Sequence, residues 1–200
     1  MVHLFDPKKI KHLESPERAE WQKPNEIIKA IKVREGDIIV DFGAGTGYFA
    51  VLLAGACLPG GKVIAVDIQQ ELIDYLEQRV VREKLSNISV VKGNSSSIGL
   101  PSDSVDLIFT ANTFHELEDR AKVITEFKRI LKKDGRLVVV DWATVESPVG
   151  PPIAERLAFA DAVGIVETMG LKLARNHAMC SYQYVLEFKN EDIFKIIDKP

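Results

Sequence analysis

Ile38-Ile39-Val40-Asp41-Phe42-Gly43-Ala44-Gly45-Thr46-Gly47-Tyr48-Phe49 is the stretch from which the rest of the chain is best read. A β-branched apolar run leads to an acid, then to three alternating glycines, then to an apolar segment. The pattern predicts a buried parallel strand, a tight turn that bares its backbone, and a helix whose first N–H groups face a ligand. Asp41 matters as much as the glycines. A carboxylate just ahead of the loop repels a pyrophosphate and favours a ligand carrying an ammonium or sulfonium charge. The spacing Gly43-x-Gly45-x-Gly47 also differs from the G-x-G-x-x-G of dinucleotide sites.

On either side of this stretch the pattern alternates. Strands are predicted at 37–41, 62–67, 88–92, 105–110 and 136–141, and helices at 46–57, 70–84 and 119–132. Leu72, Ile73, Leu76 and Val80 recur at helical spacing, as do Val123, Ile124, Phe127, Ile130 and Leu131. The 46–57 helix is apolar nearly all round, which predicts deep burial. Pro24 opens an earlier helix with Ile27, Ile28 and Ile31 on one face. Gly150-Pro151-Pro152 breaks the pattern before a helix at 153–169 and two strands at 172–178 and 183–188. The short link at Cys180-Ser181-Tyr182 fits only an antiparallel pair, since a parallel one needs a long crossover. The expected architecture is α/β: a Rossmann-like, mostly parallel sheet of seven strands, helices on both faces, and a C-terminal antiparallel hairpin.

Bulk properties narrow the function. Two hundred residues with 46% hydrophobic and 28% charged content suit one soluble domain over 1–200. The net charge of -3 gives no reason to expect nucleic acid as a partner. No apolar run is long enough for a membrane span, and no secretory signal is visible. Cys57 and Cys180 match no zinc or redox spacing, so no metal is expected and a cytoplasmic location is.

In such a sheet the carboxyl ends of adjacent strands line one crevice. Asp67 ends the second strand, 20 residues after Gly47, where a carboxylate can accept from both hydroxyls of a ribose. Ile68 offers an apolar face to an adenine ring. Asn94 and Ser95 follow the third strand; they read equally as a polar turn or as partners for a base.

These residues, with VDFGAGTGYF, the acid of VIAVD, the Gly93-Asn94 turn, Leu100-Pro101-Ser102-Asp103-Ser104-Val105-Asp106 and Leu131-Lys132-Lys133-Asp134-Gly135-Arg136-Leu137, resemble the class I S-adenosylmethionine-dependent methyltransferases. The likeness is to the branch of ubiquinone/menaquinone-type and small-molecule methyltransferases, and covers roughly residues 24–142. It implies strand order 3-2-1-4-5-7-6. It also implies S-adenosylmethionine as cofactor and S-adenosylhomocysteine as product, with Asp41, Gly43, Gly45 and Gly47 at the methionine part. Asp67 then takes the ribose, and Ile68, Asn94 and Ser95 frame the adenine. Many relatives carry an acid where Asn94 stands.

In the same family the end of the fourth strand, Thr110-Ala111-Asn112-Thr113-Phe114-His115-Glu116, borders the transferring methyl. Ala111 supplies a carbonyl there and Asn112 a polar lining. His115 reads either as a base for an oxygen or nitrogen nucleophile or as a residue that holds the loop. Residues 1–23 are the expected lid, with Phe5, Trp21 and the Ser15-Pro16-Glu17-Arg18 turn over the crevice. Trp142 reads either as pocket lining or as core. The reaction expected is methyl transfer to a small-molecule acceptor. Two cysteines argue against arsenite chemistry, and no Asn-Pro-Pro-Tyr-type motif suggests a nucleic-acid base. The rivals are an NAD(P)-dependent oxidoreductase, which lacks support in the loop spacing and in any Tyr-x-x-x-Lys pair, and a non-catalytic S-adenosylmethionine-binding sensor or subunit.

Overall fold

Seven strands hydrogen-bond in the order β3-β2-β1-β4-β5-β7-β6. They are β1 (Ile38–Phe42), β2 (Lys62–Asp67), β3 (Ile88–Lys92), β4 (Val105–Ala111), β5 (Leu131–Trp142), β6 (Leu171–Asn176) and β7 (Gln183–Asn190). Strands β1 to β5 pair in parallel, and β7 pairs antiparallel to both β5 and β6. The helices are α1 (Ile10–Leu13), α2 (Pro16–Gln22), α3 (Pro24–Ala30), α4 (Tyr48–Ala56), α5 (Gln70–Glu83), α6 (Arg120–Ile130) and α7 (Phe159–Thr168). The structure is a computed structural model that describes residues 10–93 and 97–190.

Alternation along the strands divides the core into two layers. Ile39, Ala65, Leu107 and Phe109 pack with α3, α4 and Leu76 of α5 on one face. Val40, Phe42, Val66, Ile108 and Val139 pack with α6 and α7 on the other. Each fully buried Phe or Leu contributes on the order of 2 kcal/mol, so Phe109 and Leu53 on one side, and Phe127 and Phe188 on the other, fix which face each helix covers. Arg136, at the base of β5, donates from Nη2 to the carbonyl of Lys32 at 2.8 Å and from Nη1 to that of Ile31. It thereby satisfies the carbonyls left open where α3 ends.

The strand order reverses between β1 and β4, which opens a crevice at their carboxyl ends. The predicted elements all form, with three differences. First, α4 begins at Tyr48 rather than 46, because Gly47 sits at φ 83° in the left-handed region and holds the turn open. One face of α4 is buried through Phe49, Ala50, Leu53 and Ala54 while Gly55 is exposed, so the helix is less enclosed than its composition predicts. Second, the helix expected at 153–169 is interrupted. A 3-10 turn at Ile153–Glu155 is followed by extended backbone at Arg156 and Ala158 before α7 begins. Arg156 is the reason. Its guanidinium donates to the carbonyls of Pro151, Ala143, Val145 and Val149 and to Ser147 Oγ, at 2.7–3.3 Å. Five donors bound to the preceding loop tie this residue to that loop and out of a helix. Third, β5 starts at Leu131, directly after α6, where the sequence suggests 136.

Candidate active site

Three backbone N–H bonds shape the glycine loop. Gly43 and Ala44 donate to the carbonyl of Val66 at 2.8 and 3.0 Å, and Gly47 donates to that of Ala44 at 2.9 Å. A side chain at Gly43 would strike Thr113, and one at Gly47 would strike Leu76, each at 2.3 Å from the built Cβ. The glycines therefore serve close approach, with φ 74° and 83° as a further requirement. Asp67 secures the loop from the next strand. Its Oδ2 accepts from Gly45 N at 2.8 Å and its Oδ1 from Gln69 N at 3.0 Å. The second bond shows that Asp67 also shapes the entry to α5. Each oxygen keeps a second acceptor direction, so a ribose diol can still bind. Ile68, beside it, is 45% exposed, as an apolar face for a base must be.

Asp41 is the most perturbed group of the crevice. It is buried, and its Oδ2 has no hydrogen-bond partner among the described residues. Burial, reinforced by the charge of Asp67 and opposed by Arg18, pushes its carboxyl up to about 7. An orphaned buried carboxylate at the end of a strand beside a glycine turn is what a cationic ligand needs. On that observation the residues present fit a nucleoside carrying an ammonium or sulfonium group.

The segment expected as a lid lies against this loop from residue 13 onward. Leu13 Cδ1 stands 3.7 Å from the position a Cβ on Gly45 would take. Glu14 accepts from Thr46 Oγ1 and from Arg79 Nη1, the latter at 3.0 Å. Arg18 donates to the carbonyl of Leu13 at 2.7 Å and stacks 4.0 Å above the Tyr48 ring. Burial lowers its pKa to about 10, against the pull of Tyr48, Glu14 and Asp41. Trp21 stacks on Trp142 with ring centroids 5.0 Å apart. Phe5, Asn94 and Ser95 lie outside the described residues.

The end of β4 turns sharply. Asn112 has φ 58° and donates its backbone N–H to Val140 at 2.9 Å. Thr113 Oγ1 donates to the Ala111 carbonyl at 3.1 Å. His115 docks onto Asp141 twice: Nδ1 lies 2.7 Å from Oδ1, and the backbone N–H donates to Oδ2 at 2.8 Å. Asp141 is fully buried and also accepts from Trp142 N. Nε2 of His115 faces Glu116 Oε1 at 3.8 Å. Burial works to lower the His115 pKa, but the hydrogen bond and charge of Asp141 prevail and raise it. Burial pushes Glu116 up to about 7. Trp142 is only 4% exposed, wedged among Trp21, Arg156 and Gly150, so packing accounts for most of its surface.

Sequence reasoning missed Glu14, Thr46, Arg79, Gln22 and Gln183. Gln22 and Gln183 are buried amides that bond to each other and to Asn112. Gln183 opens β7 just ahead of the apolar run Tyr184-Val185-Leu186, and that position was the available signal.

A family model for the methyltransferase domain matches residues 40–139. A solved S-adenosylmethionine-dependent methyltransferase from Aquifex aeolicus is 34% identical, with a TM-score of 0.89 over 92% of this chain and 98% of that one. A putative type 11 methyltransferase from Sulfolobus solfataricus is 28% identical, with a TM-score of 0.68 over 84% and 92% of the two chains. The ubiquinone/menaquinone biosynthesis C-methyltransferase of Marinomonas sp. is 29% identical over 78% of this chain and 60% of its own length. The chain spans about half to three-fifths of the length of such curated relatives.

Proposed function

Since the chain belongs to the class I S-adenosylmethionine-dependent methyltransferases, we propose that it moves the methyl group of S-adenosylmethionine to a small-molecule acceptor. The observation that carries this reading is Asp41, a buried carboxylate with an unpartnered oxygen at the glycine loop. When bound, S-adenosylmethionine supplies an electrophilic methyl on a positively charged sulfur. Asp41 then seats the ammonium of the methionine part, and the turn at Gly43, Gly45 and Gly47 lets the backbone approach it. Asp67 accepts from the ribose, and Ile68 covers the adenine together with Asn94 and Ser95. The Ala111 carbonyl, which also accepts from Thr113 Oγ1, is assigned to the sulfonium side.

In-line methyl displacement depends chiefly on alignment and on excluding water. Residues 1–23 are assigned to that task as a lid, and the contacts of Leu13, Glu14, Arg18 and Trp21 support it. Phe5, Trp21 and Asn112 are assigned to the acceptor end, while Trp142 backs Trp21 from the core. His115 is the candidate base. With Nδ1–H donated to Asp141, its Nε2 lone pair can take a proton from the acceptor, and Asp141 and Glu116 steady the resulting imidazolium. Free Cys57 and Cys180 suit a reducing cytoplasm, and among the described residues no helix is long and apolar enough to cross a membrane.

The names of the curated relatives point to quinone precursors, which makes a hydroquinone ring the first acceptor to try. The test is transfer of label from methyl-labelled S-adenosylmethionine to a panel of hydroquinones, phenols and amines. Label is expected in the small-molecule fraction. Retention of all label in the cofactor across the panel, despite tight cofactor binding, would favour the sensor reading instead.

A further inference from the structure

Three amides and one arginine join α2 to the turn after β4. Arg18 Nε donates to Gln22 Oε1 at 2.6 Å. Gln22 Nε2 donates to Gln183 Oε1 at 3.0 Å and to Asn112 Oδ1 at 3.4 Å. Gln183 Nε2 donates to the same Asn112 oxygen. Gln22 is fully buried and Gln183 nearly so. The direction of this chain has a chemical cause. A guanidinium offers donors only, so the Gln22 oxygen must face Arg18. Its NH2 must then face Gln183 and Asn112, and each of these must turn an oxygen toward it. The Gln183 NH2 is left for the Asn112 oxygen. Asn112 Oδ1 thus receives two bonds, while its NH2 has no partner among the described residues and is not sealed from solvent. At φ 58° the backbone of Asn112 is held by Val140, which limits the side chain's choices further.

We infer that Asn112 is a specificity-determining donor whose amide is polarised by Arg18 through Gln22 and Gln183, so that the site selects acceptors presenting an oxygen lone pair (carbonyl, enolate, phenolate or carboxylate) over cationic amines. This rests on the methyl-transfer reading for the identity of the site. Gln22 and Gln183 act as positioning residues. At Asn112 an acceptor whose only polar group is an ammonium would meet two N–H donors and no lone pair, which is a costly mismatch in a desolvated pocket. Because Arg18 and Gln22 belong to α2, the selection also depends on the lid being docked.

The experiment uses the full chain with amide-resolved 15N NMR. In the free protein the NH2 protons of Gln22 and Gln183 should exchange slowly with water, and those of Asn112 quickly. Slow exchange at Asn112 with fast exchange at Gln183 would overturn the assigned direction, whether or not S-adenosylmethionine binds. With S-adenosylhomocysteine bound, benzoate should move the Asn112 NH2 signals and bind at least tenfold tighter than benzylammonium. Asn112→Asp keeps an oxygen toward Gln22 and Gln183 but presents an acceptor outward, so the preference should reverse. Gln183→Leu, which leaves the Asn112 side chain able to turn over, should bring the ratio toward one. Equal binding of both probes to the wild-type chain, or an unchanged preference in Asn112→Asp, would overturn the inference. Failure to bind S-adenosylhomocysteine would count against the methyl-transfer reading alone.

Discussion

Replacing Asp41 with Asn should stabilise the ligand-free protein and weaken cofactor binding, with opposite signs that come from one buried charge. Asp41 titrates at about 7 in the fold against 3.8 ordinarily, burial being the main cause and Asp67 the next. A raised acid pKa means that the folded state binds more protons than the unfolded one between those values. The contribution of Asp41 to stability is therefore greatest below pH 4 and declines as pH rises toward 7. One unit is worth about 1.4 kcal/mol, so the ionised carboxylate costs roughly 4 kcal/mol at pH 8. Asn carries none of this. The variant's advantage in urea unfolding should grow by about 2 to 3 kcal/mol between pH 5 and pH 8. A cation in the crevice reverses the balance, because it returns the carboxylate to its ionised form. S-adenosylhomocysteine, which keeps the ammonium, should bind the variant about a hundredfold more weakly at pH 8 by calorimetry. Wild-type affinity should also fall about tenfold from pH 8 to pH 6 as Asp41 takes up a proton. A variant whose stability tracks the wild type at both pH values would show that Asp41 is not held as a desolvated acid.

Three other outcomes follow from the same geometry. Gly47→Ala places a Cβ 2.3 Å from Leu76 Cδ1 at φ 83°, whereas Gly36→Ala, at φ 82°, meets nothing within 4 Å; thermal unfolding should show a loss of about 3 kcal/mol for the first and about 1 for the second, and equal losses would refute the crowding argument. Asp141→Asn removes the chief influences that raise the His115 pKa and leaves burial, against the smaller pull of Glu116, to lower it, so the rising limb of the pH–rate profile should move to lower pH while kcat falls; an unmoved limb would remove His115 from the chemistry. Arg156→Lys exchanges a five-donor fork for a single ammonium, and limited proteolysis should then cut residues 143–152 at least several-fold faster, with cleavage at the wild-type rate showing that the loop holds itself.

Local pattern was sufficient for most of the architecture. β-branched runs ending in Asp41 and Asp67, amphipathic spacing in α5 and α6, and the three-residue link before Gln183 carry the seven strands and the closing hairpin. It failed where one side chain overrides its own backbone preference. Arg156 lies in an apparently continuous helical segment, and only the carbonyls of residues 143–151, brought near by the fold, draw it out. Asp41, the glycines and Asp67 were readable because strand ends and turns are local. The Arg18–Gln22–Gln183–Asn112 chain was not, since Gln22 and Gln183 are 161 positions apart and meet only because α2 folds back over β5 and β7. His115 and Asp141 were each visible, but their 2.7 Å contact exists only because β4 and β5 are neighbours in register.

With Asp41, a buried carboxylate with an unpartnered oxygen, at its edge, the crevice between β1 and β4 suits a cationic nucleoside rather than a dinucleotide. Calorimetric titration of the full chain with S-adenosylmethionine, S-adenosylhomocysteine, NAD and NADP tests it most directly. Saturable one-to-one binding of the first two is predicted, with no heat from either nicotinamide cofactor, and Asp67→Ala should weaken that binding more than tenfold. Binding of NAD or NADP with no response to S-adenosylmethionine would contradict the account.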